Sequence, residues 1–243
     1  MKLELKTSLL SIADLFLPRY CVVCGKDLVL EEQDICSSCF ADLPFTRFEK
    51  RRNNPMADQF NSLFDEGPYS YACALIYYRE NYRRITPALK YKRNFSAGRH
   101  FASMLGEKLV SSTLFADVDC IIPVPLHWTR RLRRGYNQAE VIAREIAACY
   151  HRSTDGNKAP EVRTDILRRC RRTVTQTKLD ADQKAANVAG AFRCSKPDTL
   201  PQHILLVDDV FTTGRTMCAC LLALREQIPA DVRISAATIC YLE

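Results

Sequence analysis

Two adjacent carboxylates follow an apolar run in the segment LLVDDVFTTGRT, residues 205–216. Residues 204–207 are continuously apolar, which is typical of a strand buried on both faces. In open parallel sheets, ligands bind at the carboxyl ends of the strands. Asp208 and Asp209 are predicted to lie at such an end. We therefore expect these two carboxylates to face a ligand.

The residues after the carboxylates have the composition of an anion-binding loop. They are predicted to form a turn that opens a helix, where unpaired backbone N–H groups and the positive end of the helix dipole suit a phosphate. Carboxylates would repel that phosphate, so they fit a neutral group that donates hydrogen bonds, such as a sugar diol. The pattern therefore predicts a ribose-phosphate site, with the hydroxyls on the aspartates and the 5′-phosphate bound by Val210, Thr212, Thr213, Gly214, Arg215 and Thr216. An ordinary capped helix start is the alternative.

Four cysteines near the N-terminus have the spacing of a metal site. The segment CVVCGKDLVLEEQDICSSCF contains two C-x2-C pairs separated by eleven residues. Each pair can present two thiolates from one tight turn, for which Gly25 can supply a positive φ. Four sulfurs complete a closed tetrahedral zinc site with a structural role. The predicted zinc ligands are Cys21, Cys24, Cys36 and Cys39, and four buried structural thiols are the alternative.

A second candidate anion site is a run of arginines after a predicted strand at residues 121–122. The segment is predicted to be a basic loop containing Arg130, Arg131, Arg133, Arg134 and Gly135. Guanidinium groups bind phosphate oxygens in bidentate fashion. A solvated basic loop without a ligand is the alternative.

The order of elements predicts the fold class. Two long segments, at residues 119–150 and 204–227, each give a strand followed by a helix, and a final strand follows at residues 231–243. Strands that alternate with helices indicate an α/β fold, a mostly parallel sheet with helices on both faces. The predicted domains are an N-terminal helix and zinc ribbon over 1–45, a linker over 46–68, and the sheet domain over 69–243.

Composition limits the class of protein. The net charge of +7 favours anionic partners only weakly. No apolar stretch approaches the length of a membrane span or of a signal peptide, so a cytoplasmic location is expected. In that reducing compartment the twelve cysteines are expected to be thiols or metal ligands. His100, His151 and His203 are predicted to be surface residues.

Residues 205–216 resemble the signature with which type I phosphoribosyltransferases bind phosphoribosyl pyrophosphate (PRPP). Two further segments narrow the resemblance: PVPLHWTRRLRRGYNQAEVIA at 123–143 and LRRCRRTVTQTKLDADQKAANVAGAF at 167–192. Together with the four-cysteine ribbon, they resemble the ComF family in content and order. That family includes the GntX-type proteins and is associated with natural competence and DNA uptake.

The resemblance implies a type I phosphoribosyltransferase-like sheet and a set of site residues. It implies that Asp208 and Asp209 orient the ribose, that the arginine segment is the pyrophosphate loop, and that Mg²⁺ accompanies PRPP. It also implies a flexible loop over the ligand, containing Gln176, Lys184 and Asn187. Where the family usually has arginine, this chain has Lys184, which keeps the charge but loses the planar fork of the guanidinium.

Three functions are compatible with this resemblance. The chain is a phosphoribosyltransferase with an unknown acceptor base, an adaptor that binds single-stranded DNA on the same fold, or a regulator that senses PRPP. An enzyme would release pyrophosphate in the presence of a base, whereas an adaptor would bind DNA with a steep salt dependence. Neither the partner among DNA-uptake proteins nor the oligomeric state is indicated by the sequence.

Overall fold

The computed structural model describes residues 19–62, 67–79, 82, 84–88, 95–153, 159–170 and 190–243. The predicted N-terminal helix before the ribbon lies outside the described residues, and so do Gln176, Lys184 and Asn187 of the predicted flexible loop. The backbone of Arg130 and Arg133 is described, but their side chains are not.

Helices and strands alternate after an N-terminal zinc-ribbon segment. The described helices are α1 (Ser37–Ala41), α2 (Pro55–Asn61), α3 (Ile85–Ala88), α4 (Phe95–Val110), α5 (Trp128–Arg134), α6 (Gln138–Ser153) and α7 (Arg215–Arg225). The described strands are β1 (Ala72–Tyr77), β2 (Cys120–Pro123), β3 (Glu161–Val162), β4 (Leu167–Arg169), β5 (Phe192–Cys194), β6 (His203–Phe211) and β7 (Arg233–Tyr241). Among the described helices, none is long and apolar enough to cross a bilayer.

The central sheet has the strand order β1-β7-β6-β2-β3 within the described residues, and all four neighbouring pairs are parallel. Strands β4 and β5 form a separate antiparallel pair. The predicted α/β fold with a parallel sheet is therefore confirmed. Eight of the nine residues of β7 are buried, as expected of a strand that is covered on both faces.

Helix α6 packs over β2 and β6 and against α4. Ile142 and Ile146 are one turn apart and fully buried, so they form the core-facing stripe of α6. Gly106 of α4 allows the two helices to approach closely, because a Cβ there would come within 2.7 Å of the Cys149 sulfur. This layer fixes the start of α6 against the sheet.

Residues 46–62, within the predicted linker, contain a 3₁₀ turn (Phe48–Lys50) and α2. Phe48, Met56 and Phe60 are completely buried in the core next to β1. The backbone N–H of Thr46 donates to the Leu75 carbonyl at 3.1 Å, which joins this segment to the edge of β1. The segment therefore packs as part of the sheet domain, and elements this short show no clear hydrophobic period in the sequence.

A buried hydrogen-bonded chain joins the amino ends of β6 and β7. His203 is 1 % exposed, so the prediction that it is a surface residue is wrong. Its Nδ1 lies 2.6 Å from an Asp117 carboxylate oxygen, and its Nε2 lies 2.8 Å from the Ser235 hydroxyl. The Ser235 oxygen also accepts the Tyr71 N–H. These partners are satisfied together when a neutral imidazole donates from Nδ1 and accepts at Nε2.

Acidification is expected to destabilise the protein through His203. Burial lowers the pKa of His203 below its usual value of 6.5, and the hydrogen bond to Asp117 opposes this only partly. Because the folded pKa lies below the unfolded one, the stabilising contribution is present above pH 6.5 and is lost as the pH falls through the folded pKa. In urea unfolding experiments, the free energy of unfolding should therefore decrease as the pH is lowered from 7 to 5.

His203→Phe should be less stable at pH 7 by about 1–3 kcal/mol, since it leaves buried partners unpaired, and should lose part of this pH dependence. His151→Phe, at an exposed histidine of α6, is the matched control and should keep it. Zinc release at low pH affects all three proteins alike. Equal slopes in wild type and His203→Phe would contradict a neutral buried imidazole.

Candidate functional site at the carboxyl edge of the sheet

Strand β6 extends further than the sequence predicts. The apolar run ends at Val207, but the strand continues through Asp208 and Asp209 to Phe211, because β7 pairs with it as far as Tyr241. On the other side, the pairing with β2 ends where Pro123 lies opposite Val207. The two carboxylates thus lie on a part of β6 that has lost its β2 neighbour, at the edge where a ligand was predicted.

Asp208 and Asp209 are both half-buried. The backbone N–H of Asp209 donates to Oδ1 of Asp208 at 2.8 Å. This hydrogen bond fixes the Asp208 carboxylate against the backbone of the next residue. Backbone pairing of Asp208 with Thr238 of β7 holds the segment in place. The position at the sheet edge suits carboxylates that accept hydrogen bonds from the hydroxyl groups of a ligand.

The turn after β6 leads into α7 as predicted. Thr212 and Thr213 are exposed, and Gly214 is the N-cap residue of α7 with a φ of +69°. This left-handed conformation favours glycine. Because the N-cap residue carries no side chain, it cannot cap the first amides of α7, which point towards the turn. A helix start of this kind is suited to an anion.

The arginine segment is a helix, not the predicted loop. Helix α5 is capped at its start by His127, whose Nδ1 accepts the Thr129 N–H at 3.4 Å. It is capped at its end by Gly135, whose N–H donates to the Arg131 carbonyl at 2.7 Å. Arginine and leucine are good helix formers, so a capped stretch of seven residues can be helical without a buried face. Because none of its described side chains is buried, this helix shows no hydrophobic period in the sequence.

Asn137 joins the arginine helix to the sheet edge. Its Nδ2 donates to the Val124 carbonyl at 3.1 Å, and its Oδ1 accepts the N–H of Ala139 in the first turn of α6 at 3.2 Å. No role for Asn137 was predicted from the sequence. Its signal was available, because asparagine before an amphipathic helix is a preferred N-cap. Asn137 thereby fixes both ends of the excursion that contains α5.

The structure brings the two predicted anion sites to the same edge. Val124 follows β2 and donates its N–H to the Val207 carbonyl at 2.8 Å, so the segment leading to α5 leaves the sheet beside the aspartates. Arg131 is exposed, whereas Arg134 is half-buried. Burial raises the pKa of Tyr136, and the charge of Arg134 partly offsets this. The segment that contains Arg134 therefore leaves the sheet at the strand end next to that of the aspartates.

The four predicted zinc ligands converge in the ribbon. The Sγ atoms of Cys21, Cys24, Cys36 and Cys39 all lie within 4.8 Å of one another. The sulfurs of Cys24 and Cys36 are 3.8 Å apart, and tetrahedral Zn–S bonds of about 2.3 Å require sulfurs about 3.8 Å apart. The donor set and its spacing therefore fit a closed zinc site.

Backbone amides stabilise the thiolate form of Cys21. Burial would raise the pKa of Cys21, but hydrogen bonds from the backbone of Cys24, Cys36 and Val23 lower it to about 7. Gly25 has a φ of +77°, as predicted for the knuckle turn, and its N–H donates to the Cys21 carbonyl. Four protein ligands leave no open coordination position, so zinc bound here is structural.

Two known domain families match separate parts of the chain. Residues 12–74 match the double zinc ribbon domain, and residues 132–241 match the phosphoribosyl transferase domain. Structural zinc is usually bound by cysteine and histidine. Besides the four predicted ligands, residues 12–74 contain one further cysteine, Cys73, and no histidine. Since Cys73 is completely buried, this ribbon segment provides ligands for one zinc.

Curated relatives match over most of the chain. Competence protein F of Haemophilus influenzae is 26 % identical over 206 residues, 81 % of this chain and 86 % of that protein. DNA utilization protein YhgH of Escherichia coli K12 is 32 % identical over 136 residues, 53 % of this chain and 56 % of that protein. Competence protein ComFC of Streptococcus pneumoniae is 23 % identical over 231 residues, 88 % of this chain and 96 % of that protein.

The parallel sheet, the loop after β6 and the family match together define a phosphoribosyltransferase-domain protein with an N-terminal zinc ribbon. Relatives named competence protein F and ComFC are similar to this chain across both parts.

Proposed function

We propose that this protein binds PRPP, or a similar ribose phosphate, at the carboxyl edge of β6 and acts in DNA uptake. The names of its relatives, competence protein F and DNA utilization protein, support the second part. The observation that carries the first part is the geometry of β6 and α7, in which two carboxylates are followed by a left-handed Gly214 at the start of a helix.

Each part of the edge suits one part of PRPP. Asp208 and Asp209 accept hydrogen bonds from the ribose hydroxyls, and the amides and hydroxyls of residues 210–216 bind the 5′-phosphate. Arg130, Arg133 and Arg134 of α5, with Gly135, bind the pyrophosphate, since charge-assisted hydrogen bonds to phosphate are strong. Asn137 positions this helix by its hydrogen bond to the Val124 carbonyl.

Magnesium fits this proposal by its donor chemistry. Mg²⁺ prefers oxygen ligands and is usually bound by one or two carboxylates together with substrate phosphates. Asp208 and Asp209 are the carboxylates at this edge, and the ion would neutralise charge that develops on pyrophosphate as it leaves. The residues of the chain then orient the ribose and bind the leaving group, while the segment containing Gln176, Lys184 and Asn187 excludes water.

A search for an acceptor base separates two of the three functions that the sequence leaves open, the enzyme and the regulator. If the protein is a phosphoribosyltransferase, a screen of nucleobases will find one that releases pyrophosphate from PRPP. If it is a regulator, PRPP binds without turnover. We place the protein in the cytoplasm, because the thiolates of a zinc ribbon persist in a reducing compartment.

Asp208→Asn combined with Asp209→Asn is expected to weaken PRPP binding much more than binding of inorganic phosphate. Asparagine has the shape of aspartate but lacks its negative charge, so it accepts weaker hydrogen bonds from the ribose hydroxyls. Each lost charge-assisted hydrogen bond costs about 1.5–3 kcal/mol. Calorimetry with PRPP and Mg²⁺, and separately with phosphate, measures both affinities. Equal losses for the two ligands would mean that the carboxylates shape the loop and do not bind the sugar.

A further inference from the structure

Helix α5 has an apolar face that nothing in the described part of the chain covers. None of its described side chains is buried, and Trp128 and Leu132 are 64 % and 76 % exposed. The two residues are four apart and therefore share one face of the helix. A helix of seven residues is marginal in water without tertiary packing. An exposed Trp–Leu pair on such a helix is typical of a binding surface.

The charge around this face selects an anionic partner. Residues 120–139 contain four arginines and no acidic residue. Arg131 is three residues after Trp128, so it shares the face of Trp128 and Leu132, and it is exposed. Arg134 is half-buried. We call Trp128, Arg131 and Leu132 the α5 platform.

The zinc ribbon, by contrast, is unsuited to a polyanion. Residues 19–45 contain two basic residues (Arg19 and Lys26) and five acidic ones (Asp27, Glu31, Glu32, Asp34 and Asp42), a net charge of −3. Zinc with four thiolates would make this segment more negative still. Since the whole chain carries +7, the residues outside 19–45 carry +10. The positive charge that a nucleic acid requires therefore lies outside the ribbon.

We propose that the α5 platform binds single-stranded DNA, with a base stacked on Trp128 and packed against Leu132 and a phosphate bound by Arg131. The choice of DNA rests on the proposed function in DNA uptake. Single strands expose the faces of their bases, whereas a duplex hides them, so a flat aromatic side chain beside arginine selects the unpaired strand. The platform lies close to the proposed PRPP site at the carboxyl edge of the sheet, because α5 is the next element after β2.

The fluorescence of the protein tests this directly, because Trp128 is its single tryptophan. Titration of the full chain with an oligothymidylate of about eight nucleotides, a typical length for single-strand sites, should quench the Trp128 emission. An abasic strand of the same length carries the phosphates without the bases and should quench much less. Absence of quenching by the oligothymidylate, or equal quenching by the abasic strand or by a duplex, would overturn the proposal.

Variants provide a second measurement, the anisotropy of a labelled oligothymidylate. Trp128→Ala should weaken binding by roughly 5- to 150-fold, the range for one stacked base. Leu132→Ala should weaken it less, and Leu200→Ala, at an exposed leucine just before β6, is the matched control and should bind as wild type. Arg131→Ala should reduce the slope of log affinity against log salt by about 0.7. Unchanged affinity in Trp128→Ala would overturn the proposal.

PRPP binding measured on the same samples separates this inference from the proposed function. If the protein binds PRPP but not the strand, the proposal for the α5 platform is wrong and that for the ribose-phosphate site stands. If it binds the strand but not PRPP, the proposal for the platform stands and that for the ribose-phosphate site is wrong. In the expected result both ligands bind, and Trp128→Ala lowers the affinity for the strand while the affinity for PRPP is unchanged.

Discussion

Gly214→Val is expected to abolish PRPP binding while the protein remains folded. Gly214 has a φ of +69° at the start of α7. A residue with a Cβ pays about 1–2 kcal/mol in this region, and a β-branched one more. The backbone relieves this strain by rotating the turn, which misaligns the amides aimed at the 5′-phosphate. Losing even one such charge-assisted hydrogen bond, at about 1.5–3 kcal/mol, weakens binding by roughly 10- to 150-fold.

Gly190→Val is the matched control for this effect. Gly190 has a similar φ of +73°, and a Cβ at Gly190 would meet no atom within 4 Å. The control therefore introduces a similar strain outside the turn that precedes α7. Calorimetry with PRPP and Mg²⁺, with thermal unfolding of both variants, gives the comparison. PRPP binding by Gly214→Val at the wild-type affinity would place the phosphate elsewhere, and similar losses in both variants would indicate a general effect of strain.

Cys24→Ser is expected to release the zinc and unfold the ribbon. Zinc binding to a four-ligand site contributes about 10–16 kcal/mol at neutral pH, and serine is a poor replacement for a thiolate. Cys24 is exposed, so the substitution itself costs little packing. Metal analysis of protein purified without added zinc should give one zinc per wild-type chain and none for the variant. Limited proteolysis should then cut the variant within residues 19–45.

Cys170→Ser tests whether the loss is specific to the cluster. Cys170 is also exposed but lies after β4, far along the chain from the ribbon, and this variant should keep its zinc. The matching family is a double zinc ribbon, but the four cysteines form one cluster, so one zinc per chain is expected. Two zinc ions per wild-type chain would contradict this assignment. Full zinc retention by Cys24→Ser would show that the four sulfurs do not act as one ligand set.

The sequence predicted the parts of this protein that depend on short, strongly patterned segments. Residues 204–207 are apolar at every position, so the strand was evident, and the carboxyl-end rule placed Asp208 and Asp209 at the edge. The two C-x2-C pairs predicted the cluster because both pairs meet in one turn-rich segment. In each case the necessary information lies within about 20 consecutive residues.

Features that depend on distant residues were not predicted. His203 was expected at the surface, but its partners Asp117 and Ser235 are 86 and 32 residues away along the chain. Helix α5 was expected to be a loop, since a helix without a buried face has no hydrophobic period. The role of Asn137 depends on the Val124 carbonyl, which only the folded chain brings near.

The one-sided pairing of β6 has a consequence for motion. Residues 204–207 pair with both β2 and β7, whereas Asp208 to Phe211 pair only with β7 among the described strands. Such a segment can open locally without disrupting the core, so its amide hydrogens should exchange faster than those of residues 204–207. A ligand that joins the aspartates to α5 would supply the missing second side. Binding would then slow exchange at both strand ends together, so that an edge left loose by the fold becomes rigid when it is occupied.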